Sequence, residues 1–192
     1  MDSLISLKAY AAREAVPIIQ DESSDFICKY IKDNNVKSVL EIGTAIGYSA
    51  IRFAQVRDDI KVTTIENDLD RYIVAKENIA KFELENRIDA INDDALTHEL
   101  DGKYDLIFID AAKAQYIKFF EKYKENLAEG GVIISDNLSF HGMVEDLSLT
   151  HNYSTKKLVK KIIKYINFLK ENEEFDTEFF EFGDGISVSR KK

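Results

Sequence analysis

The sequence predicts an α/β protein built on a mostly parallel sheet with helices on both faces and an antiparallel hairpin at one edge. Five short runs rich in Val and Ile (VKSVLEIG, KVTTIEN, RIDAIND, YDLIFIDA and GGVIISDN) carry the prediction. Longer helix-like stretches such as LDRYIVAKENIAKFEL and QYIKFFEKYKENL separate them. That alternation implies strands buried on both faces. Near the C-terminus FDTEFFEF and GISVSRK flank Gly183-Asp184-Gly185, a turn that closes a hairpin.

Element by element, the apolar spacing in LISLKAYAAREAV predicts an amphipathic helix that ends near Pro17. Asp21 reads as the N-cap of a second helix running through Ile31. Residues 1–34 are thus two N-terminal helices expected to cover the binding site, within a single domain spanning 1–192. The stretch SFHGMVEDLSLTHNYS is irregular and is the one candidate mobile loop. After it, KKLVKKIIKYINFLK predicts a helix with Leu158, Ile162, Ile163 and Ile166 toward the core.

Composition narrows the function classes. A chain of 192 residues with 45% hydrophobic and 32% charged residues, one Pro and 8 Gly packs a core and is neither fibrous nor disordered. The single Cys28 excludes an internal disulfide or a cysteine-based zinc site and reads as a small buried hydrophobe. No apolar run nears the ~18 residues that span a bilayer, and MDSLISLKAYAAREA lacks the apolar stretch of a signal peptide, so a cytoplasmic protein without a membrane partner is expected. The net charge of −9 repels polyanions as a whole, so nucleic acid would need a local basic patch.

In open parallel sheets ligands bind beyond the carboxyl ends of the strands. Gly43 and Gly47 sit there, in a turn between VLEI and a helix that starts near Ser49. They permit close backbone approach to a ligand, though such turns also serve tight strand-to-helix packing. The third glycine of the dinucleotide fingerprint is missing, and no Gly-Lys-Ser/Thr follows. Glu66 ends the next strand about 20 residues on, where an acid can accept both hydroxyls of a ribose. Asp93, Asp94 and Ala95 follow the third strand and reach the same crevice.

Asp110 and Asp136-Asn137 close the fourth and fifth strands. Two carboxylates and an amide oxygen suit a hard divalent cation such as Mg²⁺ or Mn²⁺. Lys113, three residues past Asp110, lies where a cation and burial would free its amine as a base. The rival reading makes the acids helix caps and Lys113 a surface charge.

Taken together, VLEIGTAIGYSAIRFA, Glu66, DDAL, FIDAAKAQY, GGVIISDNLSFHGMV and the terminal FGDG resemble the cation-dependent class I O-methyltransferases, which include the catechol and caffeoyl-CoA enzymes. The resemblance runs from Val16 onward, and VPII, LEIGTAIGYSAIR and DNLSFHGMV are most similar to the bacterial tRNA 5-hydroxyuridine methyltransferases. It implies a Rossmann-like fold with a seven-stranded sheet, a homodimer, and S-adenosylmethionine held by Ile19, Glu41, Gly43, Ser49, Glu66, Asp94, Ala95 and Asp110. It also implies a metal on Asp110, Asp136 and Asn137, with Lys113 and Asp110 catalytic. Asp93 stands where the family reads Gly, and the first helix is short for the family.

Two acceptors fit, because 5-hydroxyuracil and catechol both offer adjacent oxygens to a metal. Lys156, Lys157, Lys160, Lys161, Lys164 and Lys170 lie in an acid-free segment and could meet tRNA phosphates, or form a solvated face. A small phenolic substrate is the alternative, and a non-catalytic nucleotide-binding protein is the third reading. His141 and His151 are substrate contacts or plain exposed loop residues, and Tyr48, Tyr116 and Phe140 are stacking surfaces or core.

Overall fold

A computed structural model describes residues 3–192. Strands β1 (Ser38–Ile42), β2 (Lys61–Glu66), β3 (Ile88–Asn92), β4 (Tyr104–Ile109), β5 (Leu127–Ser135), β6 (Phe175–Phe180) and β7 (Ile186–Lys191) form one sheet in the order β3-β2-β1-β4-β5-β7-β6. The first five run parallel, while β7 lies antiparallel to both β5 and β6. The order reverses between β1 and β4, and that switch point opens a crevice above the strand ends. Val39, Leu40, Leu106, Ile107, Phe108, Ile133 and Ile134 are wholly buried, as central parallel strands must be.

Helices α1 (Leu4–Arg13), α2 (Asp21–Asp33), α3 (Tyr48–Gln55), α4 (Leu69–Lys81), α5 (Tyr116–Tyr123) and α6 (Tyr153–Lys170) cover the two faces. Ser3 caps α1 through a reciprocal pair with Ser6, and Ala15 at φ +52° turns the chain before Pro17. The cap of α2 differs from the expectation. Gln20 occupies the N-cap position without a side-chain bond, and Asp21 lies inside the first turn, paired with Lys8. A carboxylate there still complements the helix dipole.

The face that α6 buries also differs from the sequence reading. Val159, Ile162, Tyr165 and Leu169 are buried, whereas Leu158, Ile163 and Ile166 are only half-buried. Tyr165 turns the helix inward: its ring meets Tyr116 edge-on at 5.2 Å and its hydroxyl bonds Ser135 Oγ at 2.7 Å. The irregular segment between β5 and α6 is held by its own bonds, with Ser139 Oγ donating to Glu145 and a short 3₁₀ turn at Leu147–Leu149. Cys28 is half-buried on α2 among core residues, and burial pushes its thiol up. Among the described residues, no helix is long and apolar enough to cross a membrane.

Candidate active site

A cavity of about 770 Å³ lies over the carboxyl ends of β1, β2 and β4. That volume suits a cofactor together with a small planar group. Its glycine turn is built by contact. A Cβ on Gly43, at φ +105°, would stand 2.1 Å from the Asp110 carbonyl oxygen, so only glycine lets β1 pass this close to the end of β4. Gly47, at φ +83°, caps α3 and sets Tyr48 and Ser49 against the cavity.

Glu66 is nearly buried, and each carboxylate oxygen already accepts one backbone N–H, from Ala45 at 2.8 Å and Asp68 at 2.9 Å. Each oxygen keeps a lone pair, and the carboxylate faces the cavity with its orientation fixed. Ile19, Asp94 and Ala95 line the same cavity. Asp93 serves the turn in place of glycine: no positive φ is needed, and its Oδ1 accepts from the Asp94 N–H at 2.8 Å.

Glu41 stands apart from the other cofactor candidates. Its carboxyl is wholly buried beneath the turn, accepts from Ser49 Oγ and from Thr64 Oγ1 at 2.6 Å, and does not line the cavity. Burial pushes it up to about 8, against the lowering effect of those two hydroxyls. The family resemblance gives Glu41 a cofactor role; in the fold it lies one residue inside β1, a central strand paired on both edges.

The metal candidates converge as the strand ends require. Asp110 and Asn137 line the cavity, and Asp136 lies beneath it with no exposed surface. Ser23 Oγ on α2 donates to Asp136 Oδ1 at 3.1 Å, and Asn137 Nδ2 donates to Oδ2 at 3.3 Å. Among the described residues, no protein donor bonds the Asp110 carboxylate. Burial raises Asp110, with Lys113 opposing; burial and then the Asp110 charge push Asp136 up to about 7.

Two buried carboxyls, Asp110 raising Asp136, beside an amide oxygen are a hard-oxygen donor set, and this set fits a divalent cation. Among the described residues no three acid, histidine or cysteine side chains gather to hold a metal, so a cation here would rest on two carboxylates and one amide. Its other positions would then be open to water or substrate. Lys113 Nζ donates to Asn137 Oδ1 at 2.5 Å, the place where positive charge is wanted.

Asp184 is a site residue whose role the sequence reading missed. It is nearly buried, lines the cavity and accepts from the His141 backbone N–H, while its carbonyl takes Ser139 N–H at 2.8 Å. Its FGDG context was the available signal. His141 and Phe140 line the cavity, whereas His151 is exposed away from it. Tyr48 lines the cavity with its ring 2% exposed, and Tyr116 is core, its hydroxyl spent on the Asp136 carbonyl. From the N-terminal region, it is the linker Pro17–Gln20 between the two helices that lines the cavity.

Residues 2–192 match the O-methyltransferase family. The chain belongs to that family. Its reaction class is therefore methyl transfer to oxygen. O-methyltransferase ankF from Aspergillus thermomutatus is 33% identical over 156 residues, covering 77% of this chain and 65% of that protein. A crystal structure assigned as a caffeoyl-CoA O-methyltransferase from Staphylococcus aureus is 40% identical, with TM-score 0.95 over 100% of this chain and 93% of that one. The S-adenosylhomocysteine-bound methyltransferase PaMTH1 of Podospora anserina shares the fold, with TM-score 0.89 at 23% identity over 100% of this chain and 88% of that one. The family and the fold agree with the class I O-methyltransferase part of the resemblance read from the motifs.

Proposed function

We propose that this chain is an S-adenosylmethionine- and divalent-cation-dependent O-methyltransferase that converts 5-hydroxyuridine at the tRNA wobble position to 5-methoxyuridine. The S-adenosylhomocysteine in PaMTH1 supports the donor, since the cavity offers Glu66 for a ribose. The observation that carries the acceptor is the face of α6. Lys157, Lys160, Lys161 and Lys164 are exposed on it, and among the described residues none of the four has an acidic partner within ion-pair distance. A free cationic stripe on a protein of net charge −9 favours a polyanion.

Methyl transfer from a sulfonium to oxygen is an in-line displacement, so the protein's task is to make an oxyanion and to aim it. A cation on Asp110, Asp136 and Asn137 would acidify the C5 hydroxyl and orient it beside the C4 carbonyl. Lys113, three residues past Asp110, takes the hydroxyl proton. The oxygen lone pair then bonds the methyl carbon while the carbon–sulfur pair leaves with the sulfur. Glu66 and the Gly43 turn hold the donor in register throughout.

A cytoplasmic homodimer belongs to the same proposal. Phe179 and Phe182 on the C-terminal hairpin are 39% and 41% exposed, an apolar surface of the kind that subunits cover. The alternative acceptor, a small catechol-like phenol, is favoured by the likeness to the Staphylococcus aureus protein and its caffeoyl-CoA assignment. Labelled S-adenosylmethionine and Mg²⁺, offered with undermodified tRNA in one reaction and a catechol in another, separates the two. Label in tRNA supports the proposal; label in catechol alone transfers it to the phenol.

A further inference from the structure

An exposed aromatic ring stands at the head of the lysine face. Tyr153 opens α6 and is 71% exposed, and Lys157 Nζ lies 4.6 Å from its ring centroid. The cation covers one face of the ring and leaves the other to solvent.

Tyr153 is joined to the cavity wall by a short stretch of chain. Leu149, itself 59% exposed, packs so near Gly142 that a Cβ there would be 3.5 Å from Leu149 Cδ1. Gly142 follows His141, which lines the cavity. Tyr153 is four positions beyond Leu149, a span of at most about 14 Å. Beyond Tyr153, Lys157, Lys160, Lys161 and Lys164 follow at three- and four-residue spacing along one face. Along the chain the order is therefore apolar contact, aromatic ring, then cations.

We propose that Tyr153 is a stacking platform for a nucleotide flanking the methylated one, and that Lys157 and the cations beyond it carry the adjoining single-stranded backbone. Aromatic stacking beside a basic track is how proteins hold unpaired RNA, since every base has a π-face and every linkage a charge. The anticodon loop presents its bases unpaired, as this arrangement requires. This inference rests on the tRNA reading above and adds the surface that would hold it.

The test compares Tyr153→Ala, Tyr153→Phe and Lys157→Gln in steady-state methylation of undermodified tRNA, with S-adenosylmethionine binding as a folding control. Tyr153→Ala should raise KM for tRNA about tenfold with kcat little changed, and Tyr153→Phe should restore it. Lys157→Gln should lower the slope of log affinity against log salt by about 0.7. Wild-type KM and salt slope in all three variants would overturn the inference and leave the tRNA proposal standing. Wild-type protein that never methylates tRNA would remove both. Loss of sedimentation with anionic vesicles in these variants, with tRNA kinetics unchanged, would reassign the face to a membrane surface.

Discussion

The carboxylate of Asp184, in the turn between β6 and β7, accepts a hydrogen bond from the backbone N–H of His141, so the loop after β5 hangs on the far hairpin. The loop needs such a tie because Phe140 and His141 both hold positive φ, at 49° and 59°, which a chain does not keep unaided. Asp184→Ala removes a bond to a charged acceptor worth about 1.5–3 kcal/mol. The expected outcome is faster proteolytic cleavage within 139–152 and a lower kcat/KM, with S-adenosylmethionine affinity little changed. An unaltered cleavage rate would show that the loop is held by other contacts.

Glu66 is expected to hold the ribose of the donor. Its carboxylate is already aimed by the Ala45 and Asp68 N–H groups, so the geometry costs nothing to assemble on binding. Glu66→Ala should weaken S-adenosylmethionine by about 1.5–3 kcal/mol, tenfold or more in Kd. Calorimetry giving equal affinities in the two proteins would refute the assignment.

The buried Glu41 carboxyl predicts a pH dependence of stability. It is pushed up to about 8 in the folded protein, against an ordinary 4.5, so between those values the folded state holds a proton that the unfolded chain has released. Stability therefore falls as pH rises through that window, by at most about 1.4 kcal/mol per pH unit, and levels off above it. Glu41→Gln, which keeps the shape and loses the titration, should flatten the curve when urea midpoints are measured from pH 5 to 9. A wild-type curve that rises over this range would contradict the account.

Much of the fold is legible in the sequence because parallel strands announce themselves as continuous Val and Ile runs, and their ends place Asp110, Asp136 and Glu66 at one edge. What escaped reading depends on partners distant in sequence. Ser23 reaches Asp136 across 113 positions, and Asp184 reaches His141 across 43, and no local pattern encodes either pairing. Glu41 was named only through the motif resemblance, because an acid near a strand end looks the same from sequence whether it faces a ligand or two hydroxyls under the turn. On α6, Tyr165 supplied the inward direction that the isoleucines alone did not.

The lysine face predicts how the acceptor is held. Replacing Lys157, Lys160 and Lys161 by Glu should raise KM for tRNA steeply and flatten its salt dependence by about 0.7 slope units per lost contact, while methylation of a small catechol stays unchanged. Equal tRNA kinetics in the triple variant would make α6 an ordinary solvated face.

The most direct measurement is nucleoside analysis of undermodified tRNA after incubation with the protein, S-adenosylmethionine and Mg²⁺, with and without excess EDTA. The account predicts 5-methoxyuridine at the wobble position in the presence of Mg²⁺ and none in the chelated reaction. Full methylation in EDTA would contradict the metal role of Asp110, Asp136 and Asn137. Unmodified 5-hydroxyuridine in tRNA, from a preparation that methylates catechol readily, would contradict the RNA acceptor.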